Sequence, residues 1–293
     1  MALPPEQLSA VRQPLERELA AAREVAARAG LGQTEPKILN LAHHTTVHLS
    51  PTPIAARICG ASIGSDAKLR RELQVARHLA SRGAPTVRPA STISAGPYFE
   101  NGCAITLWEF VSGRPPETAA DTMRAAQALQ RVHTALQGAP RPLPSFTVAF
   151  DSCERILSNP PQSELLDSSD RVFLQTIYTE LREQLSRREL DLRPLHGDAH
   201  LGNVLLTNPG AVWMDLDDVC TGPLEWDVAC LPGEAWAEFP GIDRELVQLL
   251  NALRRVCVTV WCWADSDRSS ETREAAIDHL QQLKTRFASQ EST

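Results

Sequence analysis

The 293-residue sequence predicts an α+β protein of two lobes: a small antiparallel-sheet lobe with one main helix over residues 1–110, and a larger, mainly helical lobe over 111–293. Three observations carry this expectation. The chain lies near the length at which globular chains divide into two cores. Its first third alternates short apolar runs and turn residues around a single helical period. After Gly113 the texture changes to long amphipathic periods.

The elements follow in order. Residues 5–29, rich in Ala, Glu, Arg and Leu, form a helix that stops at Gly30. KILNLA (37–42), TVHLS (46–50) and PIAARIC (53–59) read as an antiparallel meander. In SDAKLRRELQVARHLASRG (65–83), Asp66 can cap the start, Leu69, Leu73, Ala76 and Ala80 share a face, and Gly83 ends the helix. CAITLWEFV (103–111) is a buried strand. Residues 119–137 align Thr122, Ala125, Leu129, Val132 and Leu136, and residues 170–188 align Phe173, Ile177, Leu181 and Leu185, each as one helical face. A proline-rich connection (138–146) and a loop (158–170) lie between them, and helices resume from about Glu234 to Phe287.

Composition narrows the function. A net charge of −7 argues against general nucleic-acid binding and leaves small molecules as partners. The seven cysteines are odd in number and never spaced C-x-x-C, which indicates neither a disulfide framework nor structural zinc and fits a reducing cytoplasm. The N-terminal segment lacks the apolar core of a signal peptide. The longest apolar run, VCVTVWCWA (256–264), is too short to span a bilayer, so a soluble cytoplasmic protein without a membrane partner is expected, as monomer or homodimer.

Chemistry concentrates in RPLHGDAHLGNVLLTNPGAVWMDLDD (193–218). NVLL and AVWMD, joined by TNPG, predict a hairpin. With Asn208, Pro209 and Gly210 as the loop, Thr207 pairs with Ala211 and Asn203 falls opposite Asp215, their Cβ atoms roughly 5 Å apart. An amide oxygen and a carboxylate at that separation can share Mg2+, which takes a few oxygen ligands and completes its shell with water and phosphate. His196, Asp198 and His200 alternate around Gly197, on one side of the segment if it is extended. Asp198, five residues before Asn203, can stand beside the ion without ligating it and accept a proton from an attacking hydroxyl. Two other readings stand beside this one: Asp198 and Asn203 as turn-stabilising groups, and H-x-D-x-H as a hydrolytic metal cluster.

HGDAHLGN (196–203), MDLDD (214–218) and EWDVA (225–229) together resemble the aminoglycoside phosphotransferase family, small-molecule kinases of the two-lobed protein-kinase-like fold, with similarity over about residues 37–230. The resemblance implies that Asp198 is the catalytic base, that Asn203 and Asp215 hold magnesium, that Asp227 supports the catalytic loop, and that His196 and His200 are supporting residues. Arg57, in ARIC, stands where the family has its phosphate-contacting lysine, and Glu72, in RREL, matches the glutamate that pairs with it. A plain strand-end arginine and a solvated glutamate are the alternatives. LWEFV (107–111) lies at the interlobe hinge, where the Glu109 carbonyl and the Val111 amide would bind adenine, while Trp108 and Phe110 serve equally as core aromatics. His43, His44, Thr45 and Thr46 occupy the phosphate-covering loop, which lacks the usual glycines.

His133 reads as a hydrogen-bonded core histidine, Asp217 and Asp218 as turn-capping groups with reach to magnesium or substrate as the alternative, and Trp236, Trp261 and Trp263 as core side chains with the lining of a substrate pocket as the alternative. The implied reaction takes ATP, with GTP left open, and Mg2+, and transfers the γ-phosphoryl group to a hydroxyl of an aminoglycoside or other antibiotic-like compound, which would confer antibiotic resistance. Glu234, Glu238, Asp243, Asp265, Asp267 and Glu271 in the region 231–293 could receive a polycation. The alternatives are a kinase of a sugar-, choline- or homoserine-type metabolite and, because of Arg57 and the glycine-poor loop, a nucleotide-binding scaffold without catalysis.

Overall fold

The sheet begins as the periodicities require. In a computed structural model describing residues 5–41, 44–62, 65–159, 167–266 and 270–288, β1 (Glu35–Asn40), β2 (Thr45–Ser50), β3 (Ile54–Gly60), β4 (Tyr98–Glu100) and β5 (Cys103–Glu109) form one antiparallel sheet in the order β1-β2-β3-β5-β4. β2 alternates buried and half-exposed residues, as a strand with one covered face must, whereas β5 is buried along almost its whole length. α1 (Pro5–Arg28) packs on this sheet through Ala21, Ala22, Val25 and Ala26, all fully buried. Of the side chains of α2 (Ser65–Ser81) that carry the apolar period, Leu69, Leu73 and Ala76 are buried as expected and Ala80 is half-buried, and Glu72 is buried among them.

By contacts the chain divides into two units, Met1–Arg141 with Leu201–Val219, and Pro142–His200 with Cys220–Thr293. Packing thus groups α3 (Ala119–Leu136) and the hairpin of β7 (Val204–Thr207) and β8 (Gly210–Trp213) with the sheet, because α3 lies on β8 and the Trp213 indole N–H donates to the Ala125 carbonyl at 3.0 Å. α3 opens with a capping box between Thr118 and Asp121.

The hairpin corrects the expected register. Thr207 pairs with Gly210 and Val204 with Trp213, so the loop is Asn208 and Pro209 alone. Gly210, at φ +148°, enters the ladder itself, and Thr207 Oγ1 donates to its carbonyl at 2.8 Å. The shift of one residue places Met214 opposite Asn203, and the Met214 N–H donates to the Asn203 carbonyl at 2.9 Å. Asp215 then leaves the ladder in the left-handed region, φ +63°, a conformation that aspartate tolerates better than most residues.

The second unit holds α4 (Val148–Ser158), α5 (Ser168–Ser186), β6 (Leu192–Leu195), β9 (Cys220–Pro223), α6 (Leu224–Val228), α7 (Arg244–Ala264) and α8 (Ser270–Ala288). α4, α5, α6 and α8 all pack on α7, whose Leu250, Leu253, Val256, Cys257 and Val260 are fully buried. The β6–β9 pair and α4 were not expected from the sequence, which offered the 204–215 hairpin as the only strands after Gly113. Gly222 in β9 is required by space: a Cβ there would lie 2.9 Å from Phe146 Cβ and 3.0 Å from Leu195 Cδ1. Among the described residues no helix is long and apolar enough to cross a membrane.

Candidate active site

Two polar clusters are built, one in each unit. In the first, Arg57 on β3 and Glu72 on α2 meet at 2.5 Å through Nη1 and Oε1. The other prong of the guanidinium, Nη2, lies 2.9 Å from Asp215 and 3.1 Å from Asp217. A planar fork can serve two directions at once, which a lysine ammonium at the end of a single stem does less well. Lys68, one turn before Glu72, adds 2.8 Å to Asp217 and 3.7 Å to Asp218, and His44 Nε2 lies 3.6 Å from Asp217.

The electrostatics follow from this geometry. Burial pushes the Glu72 carboxyl up to about 7, against the pull of Arg57. It pushes Asp215 up as well, with Asp217 adding to the effect and Arg57 opposing it. Burial would also raise Asp217, but His44, Arg57 and Lys68 hold it well below the usual carboxylate range. The Arg57 guanidinium, which burial alone would lower, is held above its ordinary value by Glu72, Asp217 and Asp215. Replacing Arg57 with Lys should cost about 1–3 kcal/mol, because one ammonium cannot satisfy Glu72 and the aspartates together. Urea unfolding reads this directly; an unchanged midpoint would remove the bridging role.

Four carboxylates here face two permanent cations, and Glu72 Oε2 and Asp215 Oδ1 are buried without a well-directed hydrogen bond among the described residues. An additional hard cation would relieve both conditions, so the oxygen donors present fit magnesium. No group of three or more His, Cys, Asp or Glu residues among the described residues is arranged to hold a metal ion by itself, which disfavours the hydrolytic cluster of His196, Asp198 and His200.

The second cluster surrounds Asp198. Asp227, fully buried at α6, accepts the N–H groups of His196 and Gly197, each at 2.8 Å. Gly197 adopts φ +88°, and its carbonyl accepts the Trp226 indole N–H at 2.9 Å. His196 is fully buried, its Nδ1 3.4 Å from the Asp198 N–H, and His200 Nε2 lies 3.4 Å from Asp198 Oδ2. The segment bends at Gly197, so the alternation of His196, Asp198 and His200 does not lie along an extended run. Arg254 on α7 contacts Asp198 Oδ1 through Nη2.

The sequence reading missed Lys68 and Arg254 and took Asp217, which lies in the cluster, foremost as a turn-capping group. Signals existed for all three: Lys68 and Glu72 share a helix face at i,i+4, Asp217 repeats Asp215 at i,i+2, and Arg254 stands four residues after Leu250 and three before Cys257, both fully buried. Of the expected hinge residues, Glu109 ends β5 opposite Ile54, its side chain accepts the Ser91 hydroxyl at 2.8 Å, and Val111 lies beyond the ladder. Phe110 stacks on His48 at 3.9 Å, and the Trp108 indole donates to Thr106 at 2.8 Å. A cavity of about 300 Å³ is lined by Glu109 and Val111 together with Thr86, Arg88 and the hairpin turn, and Arg57, Glu72 and Asp215 are not among its lining residues. Asp243 is already engaged as the N-cap of α7 and with Arg188 at 2.6 Å. His43, Asp267 and the Glu271 side chain lie outside the described residues.

A five-stranded antiparallel sheet with a buried helix glutamate paired to a strand arginine, followed by a helical part, is the architecture of the protein-kinase-like fold. A model of the phosphotransferase enzyme family matches residues 42–265, and the chain belongs to that family, whose reaction is phosphoryl transfer to an alcohol group. Solved structures with this fold include amicoumacin kinase hAmiN in complex with AMP-PNP, Ca2+ and Ami, at 15% identity and TM-score 0.66 over 91% of this chain and 95% of that one. The GDP and kanamycin complex of APH(2")-IIIa stands at 15% and 0.70, over 92% and 99%. Choline kinase LicA from Streptococcus pneumoniae stands at 12% and 0.64, over 89% and 99%. No match is found among curated proteins.

Proposed function

We propose that the chain transfers the γ-phosphoryl group of ATP, with Mg2+, to a hydroxyl of an antibiotic-like compound, the aminoglycosides among them, residues 1–110 binding the nucleotide and 111–293 the acceptor. The observation that carries this reading is the bridge from Glu72 through Arg57 to Asp215 and Asp217, which joins a phosphate-binding base to the aspartate segment suited to a metal. Arg57 contacts the phosphates and Glu72 holds it there. Glu109 and Val111 offer their backbone groups to the base of the nucleotide. Asn203 and Asp215 would hold Mg2+, which supplies charge neutralisation on the phosphates when bound. Asp198 orients and deprotonates the acceptor hydroxyl, while Asp227, His196 and His200 keep its loop in shape. The likeness to choline kinases at the same level of identity favours a second reading, a kinase of a sugar-, choline- or homoserine-type metabolite.

A screen of nucleoside diphosphate release tests this, with ATP and GTP each offered against aminoglycosides, other hydroxylated antibiotics and common metabolites. The expected result is release that depends on both Mg2+ and one acceptor class. Binding of either nucleotide without transfer to any hydroxyl would favour a scaffold instead.

A further inference from the structure

Arg254 is a cation placed where a catalytic base alone would need none. It lies on α7, on the flank between the fully buried Leu250 and Cys257, and its side chain is 15% exposed. The guanidinium is held from three directions: Nη2 contacts Asp198 Oδ1, Nη1 lies 3.4 Å from the Gly197 carbonyl, and the group stands 5.1 Å over the Trp226 ring. Burial lowers its pKa to about 10, so it stays charged at neutral pH. Such a fork fixes one carboxylate oxygen, Oδ1, while Oδ2 faces the side of His200.

We propose that Arg254 is a positioning and specificity-determining residue: it orients Asp198 and makes this side of the site select acceptors that are uncharged or anionic around the reacting hydroxyl, rather than polycations. The inference rests on Asp198 being the base that meets the acceptor. The ion pair cancels the negative charge that would otherwise draw an amine to Asp198. A hydroxyl bonded to Oδ2 would lie within about 5–6 Å of the guanidinium, since the two carboxylate oxygens are close neighbours. At that range the guanidinium offsets about tenfold to a hundredfold of the attraction that Asp198 alone would exert on an ammonium beside the hydroxyl. Three further acids of this unit are likewise engaged by cations, for Asp243 is paired with Arg188, Asp170 with Lys284, and Glu154 lies 3.5 Å from Arg182. Within the range of acceptors proposed above, this narrows the class to neutral or acidic hydroxyl compounds.

The test assays wild type, Arg254→Met, Arg254→Lys and Asp198→Asn for ADP release with kanamycin and choline as cations, glucose and chloramphenicol as uncharged acceptors, and glycerate as an anion. Wild type is expected to use an uncharged or anionic member with kcat/KM about tenfold or more above either cation. Arg254→Met should lower kcat on that acceptor more than it raises KM and narrow the preference by about tenfold, while Arg254→Lys, which keeps the charge, restores most of it. Circular dichroism identifies a misfolded Met variant, and Arg254→Gln then reads the same ratio. A wild type that prefers kanamycin or choline, a panel with no acceptor above the acceptor-free rate, or an unchanged ratio in the uncharged variants would each overturn the proposal. Asp198→Asn separates the two levels: full activity there refutes the base itself, whereas its inactivity beside an unchanged Arg254 ratio removes only the role given to Arg254.

Discussion

Asp198→Asn should lower phosphoryl transfer by about two to four orders of magnitude while nucleotide binding survives, since the variant loses the proton acceptor and little else. The substitution is nearly isosteric, and its amide oxygen can still accept from Arg254. Asn cannot take a proton, and its neutral side chain leaves the buried guanidinium without an opposing charge. A stability loss of about 1–2 kcal/mol should therefore accompany the loss of turnover. Single-turnover transfer, nucleotide binding by fluorescence and a thermal melt on the same preparation separate chemistry from folding. A variant that retains more than about a tenth of wild-type kcat would mean that the protein needs no base at this position.

What the sequence revealed and what it concealed divide along local and non-local physics. The face of α2 was legible because Leu69, Leu73 and Ala76 repeat at the helical period whatever surrounds them. The pairing of Arg57 with Glu72 was anticipated through resemblance, and the geometry brings the two side chains together. The hairpin was recognised, but its register was not, because a single turn residue decides it: Gly210 can join the ladder at φ +148°, and that moves every pair by one. The support first derived for a metal pair, Asn203 directly across from Asp215, therefore does not stand on register. The cluster of Arg57, Lys68, Asp215 and Asp217 gathers Asp215 but not Asn203. β6 and β9 are four residues each, carry Pro194 and Pro223, and pair across a long stretch of chain, so neither period nor composition announced them. Arg254 was concealed for a different reason. An arginine beside an apolar run reads as a helix rim, and only the fold of the second unit brings its fork to Asp198.

Asp227 should prove the most sensitive position for folding. Its carboxylate is fully buried and accepts two backbone N–H groups from consecutive residues, His196 and Gly197, each at 2.8 Å. Both amides lie in a turn shaped by a left-handed glycine, and the carboxylate does there what a ladder carbonyl does in a sheet. Asp227→Asn keeps one acceptor oxygen but turns an NH2 group toward a second N–H, and should cost about 2–4 kcal/mol. Asp227→Ala orphans both amides and should cost about 3–6 kcal/mol, enough to unfold a marginal domain at physiological temperature. Urea midpoints at constant slope measure both, and a loss below about 1 kcal/mol in the alanine variant would show that the amides find other partners. At low temperature, where Asp227→Asn remains folded, kcat should still fall, because the residue that follows the two freed amides is Asp198. A structural substitution would in that case be felt first as a catalytic one, through the loss of the turn that holds the base in place.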